Sequence, residues 1–203
     1  MKDIILASKS PRRANLLSNI GLRFKIQEAD VDEKKAVSDK PYELVMELSY
    51  KKAYYIAARQ NNDCIVIGAD TIVYINNSIL GKPASFDEAF EMLMSLSGKW
   101  HEVYTGVAII DYCAKDNSFN FINEYQCSRV KFRKLNENII YKYISTGEPM
   151  DKAGAYGIQE LGSLLVEEIE GCYFNIVGLP VSKLYDMFLK LGYDIFEMKG
   201  IKK

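Results

Sequence analysis

Apolar and polar residues follow two different rhythms along this chain, and together they predict a mixture of strands and helices. Nearly continuous apolar runs, which are typical of buried strands, occupy residues 4–7 and 64–73, and strand-like runs occupy residues 103–111, 119–132 and 164–169. Apolar residues spaced three and four apart, as on one face of a helix, occupy residues 11–19, 41–59, 85–98, 136–145 and 180–191. Because the two kinds of segment alternate, the order predicts an α/β or mixed α+β fold.

Sequence signals at helix starts support two of these helices. Ser10 followed by Pro11 is the pattern of an N-cap with proline in the first turn, and Ser85 followed three residues later by Glu88 is that of a capping box. In the helix after the capping box, the residues expected to face the core are Ala89, Phe90, Leu93 and Met94.

Composition restricts the classes of partner. The chain has 203 residues, 48% of them hydrophobic, which is enough for one continuous core, and we predict a single domain over residues 1–203. The 26 Lys and Arg nearly balance the 27 Asp and Glu, so a broad basic face for nucleic acid is not expected. No apolar run approaches the roughly 20 residues of a membrane span, and the N-terminus lacks a signal-peptide pattern. We therefore expect a cytoplasmic protein with neither a nucleic-acid nor a membrane partner.

Histidine and cysteine usage narrows the chemistry further. His101 is the only histidine, and no two of the four cysteines have the spacing of a zinc or redox motif. Reduced, mostly buried thiols are the expected state. Any metal ion would need oxygen ligands, which suits Mg²⁺ or Mn²⁺.

The first segment with chemical potential is residues 8–13, Ser-Lys-Ser-Pro-Arg-Arg, between a buried strand and a helix. Arginines in a first helical turn are mildly unfavourable beside the positive end of the helix dipole. An anion there would explain them, since backbone N–H groups, serine hydroxyls and arginine forks together bind phosphate. A solvated basic turn, or arginines paired with distant carboxylates, is the alternative interpretation.

The second segment is the apolar run that ends in Gly68-Ala69-Asp70-Thr71. Burying an acid within such a strand is costly unless it is paired or used. Asp70 could hold a metal ion, activate water or do both, whereas a purely structural carboxylate would accept nearby backbone N–H groups.

Weaker signals come from three other places. Lys82 stands between a glycine and a proline and could reach a phosphate, whereas Lys52 belongs to a helical lysine pair of the kind that is usually solvated. Glu33 lies in a polar stretch where surface acids are common. Residues 151–159 form a glycine-spaced loop in which Gln159 could read a base edge with its amide; a tight, well-packed loop is the alternative.

These segments, taken in order, resemble the signature of the Maf nucleotide pyrophosphatases. The resemblance rests on residues 6–13, 68–71, 81–83, 96–101, 105–107 and 151–159, and it extends over about residues 4–189. It implies a mixed, strongly curved sheet flanked by helices, with a cleft between two lobes, as in inosine triphosphate pyrophosphatases. It also implies hydrolysis between the α and β phosphates, a divalent cation such as Mg²⁺ or Mn²⁺, and a homodimer.

The resemblance assigns roles by position. Asp70 would be the proton acceptor, and Glu33 would help with metal or water, so that both are candidate catalytic residues and metal ligands. The residues that would bind substrate are Ser8, Arg12, Arg13, Lys52, Thr71, Lys82 and Gln159. Among them, Arg13, Thr71 and Gln159 match the branch that acts on dTTP and UTP, rather than the branch that acts on methylated GTP.

One position departs from the family pattern. Glu160 stands where a glycine is usual, and an extra acid beside the base-reading loop bears on specificity. Two alternative functions stay open at this point: a pyrophosphatase for inosine or xanthosine triphosphate, and a non-catalytic nucleotide-binding regulator of septum formation.

Overall fold

The computed structural model describes residues 2–33 and 38–198. Its strands are β1 (Asp3–Leu6), β2 (Lys25–Ile26), β3 (Cys64–Ile75), β4 (Ser78–Leu80), β5 (Trp100–Cys113), β6 (Ser118–Phe132) and β7 (Val166–Glu170). Its helices are α1 (Pro11–Asn19), α2 (Pro41–Ala57), α3 (Phe86–Leu96), α4 (Glu137–Ile144), α5 (Tyr173–Val177) and α6 (Val181–Lys190). Short 3₁₀ helices cover Glu148–Asp151, Ala153–Ala155 and Glu160–Leu165.

The strands form one mixed sheet in the order β2-β1-β3-β5-β6-β7, with β4 paired to β3. Strand β1 runs parallel to both β2 and β3, whereas β4 and β7 pair antiparallel with β3 and β6. Strand β3 is almost wholly buried while the edge strand β7 is mostly exposed, as expected for strands with neighbours on two sides and on one. The predicted mixture of α and β elements is confirmed.

The chain divides into two compact units. Unit 1 consists of residues 1–70, 105–126 and 178–203, and unit 2 of residues 71–104 and 127–177. The prediction of a single domain stays a prediction, because compactness alone does not show that either unit folds independently.

The core of unit 1 forms where α2 packs on three strands. Ala53, Ile56 and Ala57 of α2 lie in one buried cluster with residues of β1, β3 and β5. Two glycines make this packing unusually close: a Cβ on Gly68 would come within 2.2 Å of the Ser49 carbonyl oxygen, and one on Gly106 within 2.1 Å of that of Val45. The helix backbone therefore lies directly on the sheet, where no side chain fits.

In unit 2, helix α3 turns one apolar stripe inward. Ala89, Met92, Leu93 and Leu96 are its buried residues, and this spacing of three and four is that of a single helical face. The prediction that Met94 faces the core is wrong, because Met94 lies off that stripe and is 38% exposed. Phe90 lies at the edge of the stripe and stacks on Tyr141 of α4 at 4.8 Å.

Candidate active site

Ser8 lies just before the N-terminus of α1, and Arg12 and Arg13 lie in its first turn. Ser10 is at the N-cap position, as predicted, but its hydroxyl makes no capping hydrogen bond. Instead, the Ser10 N–H donates to Ser8 Oγ at 3.2 Å, and Arg13 Nη1 donates to the same oxygen at 3.1 Å. The Ser8 hydroxyl thus organises this helix start.

Arg13 is held in place from a second direction. Its Nε donates to the Gly178 carbonyl oxygen at 2.8 Å. Gly178 has φ of 120°, a conformation that side chains other than glycine rarely adopt, so the position of this carbonyl depends on glycine. Burial lowers the pKa of Arg13 below its usual range, and the neighbouring Arg12 acts in the same direction, yet an arginine stays protonated at neutral pH.

The N-terminus of α1 is therefore electropositive. The first turn of α1 contains no acidic residue, and two guanidinium groups lie there beside the positive end of the helix dipole. Such a combination of partial and full positive charges favours an anion, above all a phosphate with which arginine can pair in a bidentate manner.

Asp70 faces α2 from strand β3. It lies two residues after Gly68, and residues two apart on a strand point to the same side. Because Gly68 lets the backbone of α2 approach around Ala53, the preceding residue Lys52 reaches Asp70, and its Nζ donates to Asp70 Oδ1 at 2.6 Å. Asp70 is 7% exposed, so this carboxylate is both buried and paired.

Burial dominates the protonation of Asp70. Desolvation raises the pKa of Asp70 above its ordinary value, while Lys52 and Arg13 lower it and Glu33 raises it further. A carboxylate whose pKa is raised toward neutrality accepts a proton more readily than an exposed aspartate, which is the property required of a general base.

Glu33 forms an ion pair with the same lysine, Lys52. Its Oε1 lies 2.6 Å from Lys52 Nζ, and the Glu33 side chain is 56% exposed while that of Lys52 is 12% exposed. The ammonium of Lys52 therefore lies against one buried and one exposed carboxylate. The structure thus brings Ser8, Arg12 and Arg13 together at the start of α1. It also brings Glu33 and Asp70 together at the ammonium of Lys52. All six residues belong to unit 1.

The two carboxylates fit a cation that arrives together with its substrate. Among residues 2–33 and 38–198, no group of three or more His, Cys, Asp or Glu side chains could hold a metal ion by itself. Magnesium, however, is commonly bound through one or two carboxylates, with phosphate oxygens and waters supplying the other ligands. Asp70 and Glu33 are oxygen donors of the kind that it prefers.

The other predicted residues, Thr71, Lys82 and Gln159, belong to unit 2. Within that unit, the glycine-spaced loop is bonded to the segment that follows β4, because the Gly154 N–H donates to the carbonyl oxygen of Gly81, next to Lys82, at 2.9 Å. Lys82 is exposed and Gln159 half-buried. The two sequence motifs therefore meet through their backbones.

Sequence reasoning gave Lys152 no role, although it is a buried charge in this loop. Its Nζ donates to the Glu148 carbonyl oxygen at 2.6 Å and to Asp151 Oδ1 at 2.8 Å. A Cβ on Gly157 would come within 2.9 Å of the Lys152 side chain, so one glycine of the motif makes room for this lysine. That spacing of glycines was the only available signal for it.

The prediction that the thiols are mostly buried is wrong, because only Cys64 is buried and the other three cysteines are partly exposed. All four cysteines are free thiols, and burial raises the pKa of Cys64 to about 11. His101 is buried, and desolvation lowers its pKa to about 4, which leaves it neutral at physiological pH. In the described part of the chain, no helix combines the length and apolar character that crossing a membrane requires.

Known proteins resemble this chain over nearly its full length. The family model described as "Maf-like protein" matches residues 3–191. A dTTP/UTP pyrophosphatase of Thermoanaerobacter sp. (strain X514) is 49% identical over 192 residues, covering 95% of this chain and 97% of the relative. A protein of the same name from Acetivibrio thermocellus is 48% identical, covering 97% and 99% of the two chains.

Among solved structures, a HAM1 protein from Coxiella burnetii matches with a TM-score of 0.41 and 16% identity, covering 64% of this chain and 73% of that one. The family match includes every residue of the site described above. The chain belongs to the family of Maf-like proteins.

Proposed function

We propose that this protein hydrolyses dTTP and UTP to the nucleoside monophosphate and pyrophosphate. The observation that carries the proposal is the buried Asp70 carboxylate, paired with Lys52 in the unit that also contains the arginine-rich start of α1. Its relatives at 48–49% identity are named dTTP/UTP pyrophosphatases, which supports the pyrimidine substrates.

In the proposed mechanism, Asp70 accepts a proton from the water that attacks the α-phosphorus. Its raised pKa suits this task. Ser8, Arg12, Arg13 and Lys52 bind the phosphates, and the three cationic side chains neutralise the charge that develops on the departing pyrophosphate. Arg13 is already fixed by its bonds to Ser8 and Gly178, so little reorganisation is needed when the substrate binds.

The proposed divalent cation, Mg²⁺ or Mn²⁺, would be held by Asp70 and Glu33. When bound, it would supply positive charge to the phosphate oxygens. Lys52 already lies against both carboxylates, and these side chains would share their oxygens between the lysine and the cation.

For the remaining predicted residues, we propose that Lys82 binds a phosphate and that Arg13, Thr71 and Gln159 each contribute to base specificity. The support is that all of these residues lie within the range that the family model matches. The exposed Lys82 is available to an anion, and a glutamine amide offers one donor and one acceptor to a base edge.

The test is an assay of the first product. The purified protein with Mg²⁺ or Mn²⁺ should release pyrophosphate, and not orthophosphate, from dTTP and UTP. Orthophosphate as first product would refute the reaction, and a preference for inosine or xanthosine triphosphate would refute the substrate class. Binding of nucleotides without turnover would favour the non-catalytic regulator.

Two single variants test the phosphate assignments separately. Arg12→Ala and Lys82→Ala each remove a charge-assisted contact, for which a loss of about 1.5–3 kcal/mol in transition-state binding is expected. Thermal melts should change little for both. Wild-type kinetics in either variant would show that its residue does not bind the phosphates.

We further propose that the protein is cytoplasmic and forms a homodimer. Exposed aromatic side chains on unit 1, namely Tyr54, Phe121 and Tyr125, are of the kind enriched at protein interfaces. Light scattering on the purified protein measures the mass directly, and a monomer at micromolar concentration would refute the dimer.

A further inference from the structure

We propose that Tyr143 and Glu148 are positioning residues that shape the loop carrying Gln159, and that they thereby determine how strictly a pyrimidine base is selected. This inference rests on the proposed function, because it takes Gln159 as a reader of the base. Neither Tyr143 nor Glu148 belongs to the phosphate-binding or proton-accepting sets described above.

Residues 157–162 form a closed loop whose two ends touch. A Cβ on Gly162 would lie 2.1 Å from the Gly157 carbonyl oxygen and 2.7 Å from the hydroxyl of Tyr143. The two ends of the loop, Gly157 and Gly162, therefore lie next to each other beside the Tyr143 hydroxyl. Gln159 lies between them in the sequence.

Tyr143 holds the first end. The Gly157 N–H donates to Tyr143 Oη at 3.3 Å, and that hydroxyl donates to Glu148 Oε1 at 2.9 Å. Burial raises the pKa of Tyr143, so its hydroxyl remains protonated and continues to act as a donor.

Glu148 holds the second end with the same carboxylate. The Gly162 N–H donates to Oε1 at 3.1 Å and the Leu161 N–H donates to Oε2 at 3.2 Å. The Glu148 carbonyl oxygen also accepts a hydrogen bond from Lys152 Nζ. Hydrogen bonds to an ionised acceptor are stronger than those between neutral groups, so this residue is the main fastening of the loop.

The loop needs such a fastening because its backbone is strained. Glu160 has φ of 54°, and Ala155 just before the loop has φ of 57°. Left-handed conformations are unfavourable for residues other than glycine and persist only where surrounding contacts impose them. The Tyr143–Glu148 pair supplies side-chain hydrogen bonds at both ends of residues 157–162.

Tyr143→Phe tests the proposal, because it removes the hydroxyl and leaves the ring in the core. The measured quantity is the ratio of kcat/KM for dTTP to kcat/KM for GTP. We expect that ratio to fall about three- to tenfold, the equivalent of one or two net hydrogen bonds, mainly through a higher KM for dTTP. A merely structural tyrosine would lower the active fraction for both substrates equally and leave the ratio unchanged.

The matched control is Tyr193→Phe. Tyr193 also donates its hydroxyl to a carboxylate, Asp111 Oδ2 at 2.8 Å, and both residues of that pair belong to unit 1. Its selectivity ratio should equal that of the wild type. A shift of the same size in both variants would overturn the proposal.

Glu148→Gln provides the second measurement. Glutamine keeps one acceptor oxygen but replaces the other by an amide that cannot accept the Leu161 N–H, and we expect a fall in the ratio at least as large. If both variants fold and keep the wild-type ratio, the proposal is wrong although the proposed function stands. If the wild type itself turns over neither dTTP nor UTP, the proposed function has failed instead.

Discussion

At the scale of single residues, the state of Asp70 results from opposing effects. Burial favours its neutral form, while Lys52 at 2.6 Å and the more distant Arg13 favour its charged form. Burial has a larger effect on the pKa of Asp70 than the two cations have, because that pKa is raised above its ordinary value. In linkage terms, the folded state therefore holds a proton on Asp70 at a pH where the unfolded chain has released it, and ionisation of this residue costs stability as pH rises.

Asp70→Asn should separate catalysis from stability. The amide keeps the shape but cannot accept a proton, so turnover of dTTP should fall by about 10²-fold or more. The melting temperature at pH 7 should not fall, because the substitution removes a charge that the fold disfavours. One activity assay and one thermal melt on the same variant measure both effects.

The control is Asp186→Asn on the exposed side of α6, which loses the same charge without any burial and should change neither quantity. A variant at position 70 that melts early yet still cleaves dTTP well would show Asp70 to be structural, and the mechanism would be wrong.

Glu160 shows the cost of a departure from the family pattern. Its φ of 54° is a conformation that suits the glycine which the resemblance to the family implies at this position. We expect Glu160→Gly to raise the free energy of unfolding by up to about 1 kcal/mol, because relief of roughly 1–2 kcal/mol of strain exceeds the added chain entropy of glycine, about 0.5–1 kcal/mol. Urea denaturation measures this difference.

Glu160→Ala is the companion variant, since it removes the charge and keeps the Cβ. Stabilisation by alanine equal to that by glycine would attribute the effect to charge and contradict the strain argument.

The sequence indicated some site residues better than others. Asp70 could be found because an acid within an apolar run is conspicuous, and Arg12 and Arg13 because they contradict the helix dipole. Lys52 looked like an ordinary solvated lysine, since its contact with Asp70 exists only once α2 has packed on β3. Tyr143 gave no signal beyond helical periodicity, because its hydrogen bonds join segments far apart in the chain.

At the scale of secondary-structure elements, long periodic segments were predictable and short ones were not. The predicted helix over residues 11–19 has the same bounds as α1. At the predicted capping box, the Glu88 N–H donates to Ser85 Oγ at 3.1 Å, while the Glu88 carboxylate accepts the N–H of Ala84 at 2.7 Å, one residue before the N-cap. Strands β2 and β4 have two and three residues, too few for any periodicity. Their existence depends on pairing with β1 and β3.

One predicted strand began too early for a related reason. The apolar pair at residues 164–165 extends the strand-like pattern, yet it closes the 3₁₀ helix Glu160–Leu165, and β7 starts only at Val166. The fastening of the preceding loop determines this boundary more than the preferences of the residues at it.

Gly68→Ala tests the packing of α2 on β3. The new methyl group would meet the backbone at Ser49 and Ala53, at 2.2 Å and 2.8 Å, and backbone cannot move aside as a flexible side chain can. We expect a loss of about 1–3 kcal/mol or more in unfolding free energy. Activity should fall as well, because the helix that carries Lys52 would move away from Asp70.

Gly81→Ala is the control for stability, because a Cβ at that position meets nothing within 4 Å. If the Gly68 and Gly81 variants were equally stable, helix and strand would not be as close as the structure has them.

At the scale of the whole molecule, the chain has a single histidine, so few of its groups change charge near neutral pH. The exceptions are the buried ones, and two of them act in opposite directions. Protonation of Asp70, whose pKa is raised, favours the folded state as pH falls. His101 has a lowered pKa, so acid favours its unfolded state.

His101 should therefore make the protein acid-sensitive. It is buried in unit 2, joined to Tyr156 by a hydrogen bond of 2.7 Å and packed edge-on against Phe132 at 5.1 Å, which leaves no room for hydration of an imidazolium. Above pH 6.5 the residue is neutral in both the folded and the unfolded state, and it contributes no pH dependence.

Between pH 6.5 and about 4, His101 is protonated in the unfolded chain but stays neutral in the folded protein. The unfolding free energy should fall by up to about 1.4 kcal/mol per pH unit, or on the order of 3 kcal/mol in total. Because the chain has one histidine, its imidazole resonance can be followed by NMR without any substitution, and its apparent pKa should lie below 5.

Denaturation curves over the same pH range should show this loss of unfolding free energy in the wild type. The slope against pH should be shallower in His101→Gln, because glutamine does not titrate. An imidazole that titrates near 6.5 in the folded protein would show that the ring is hydrated, and the acid sensitivity would then have to come from other groups.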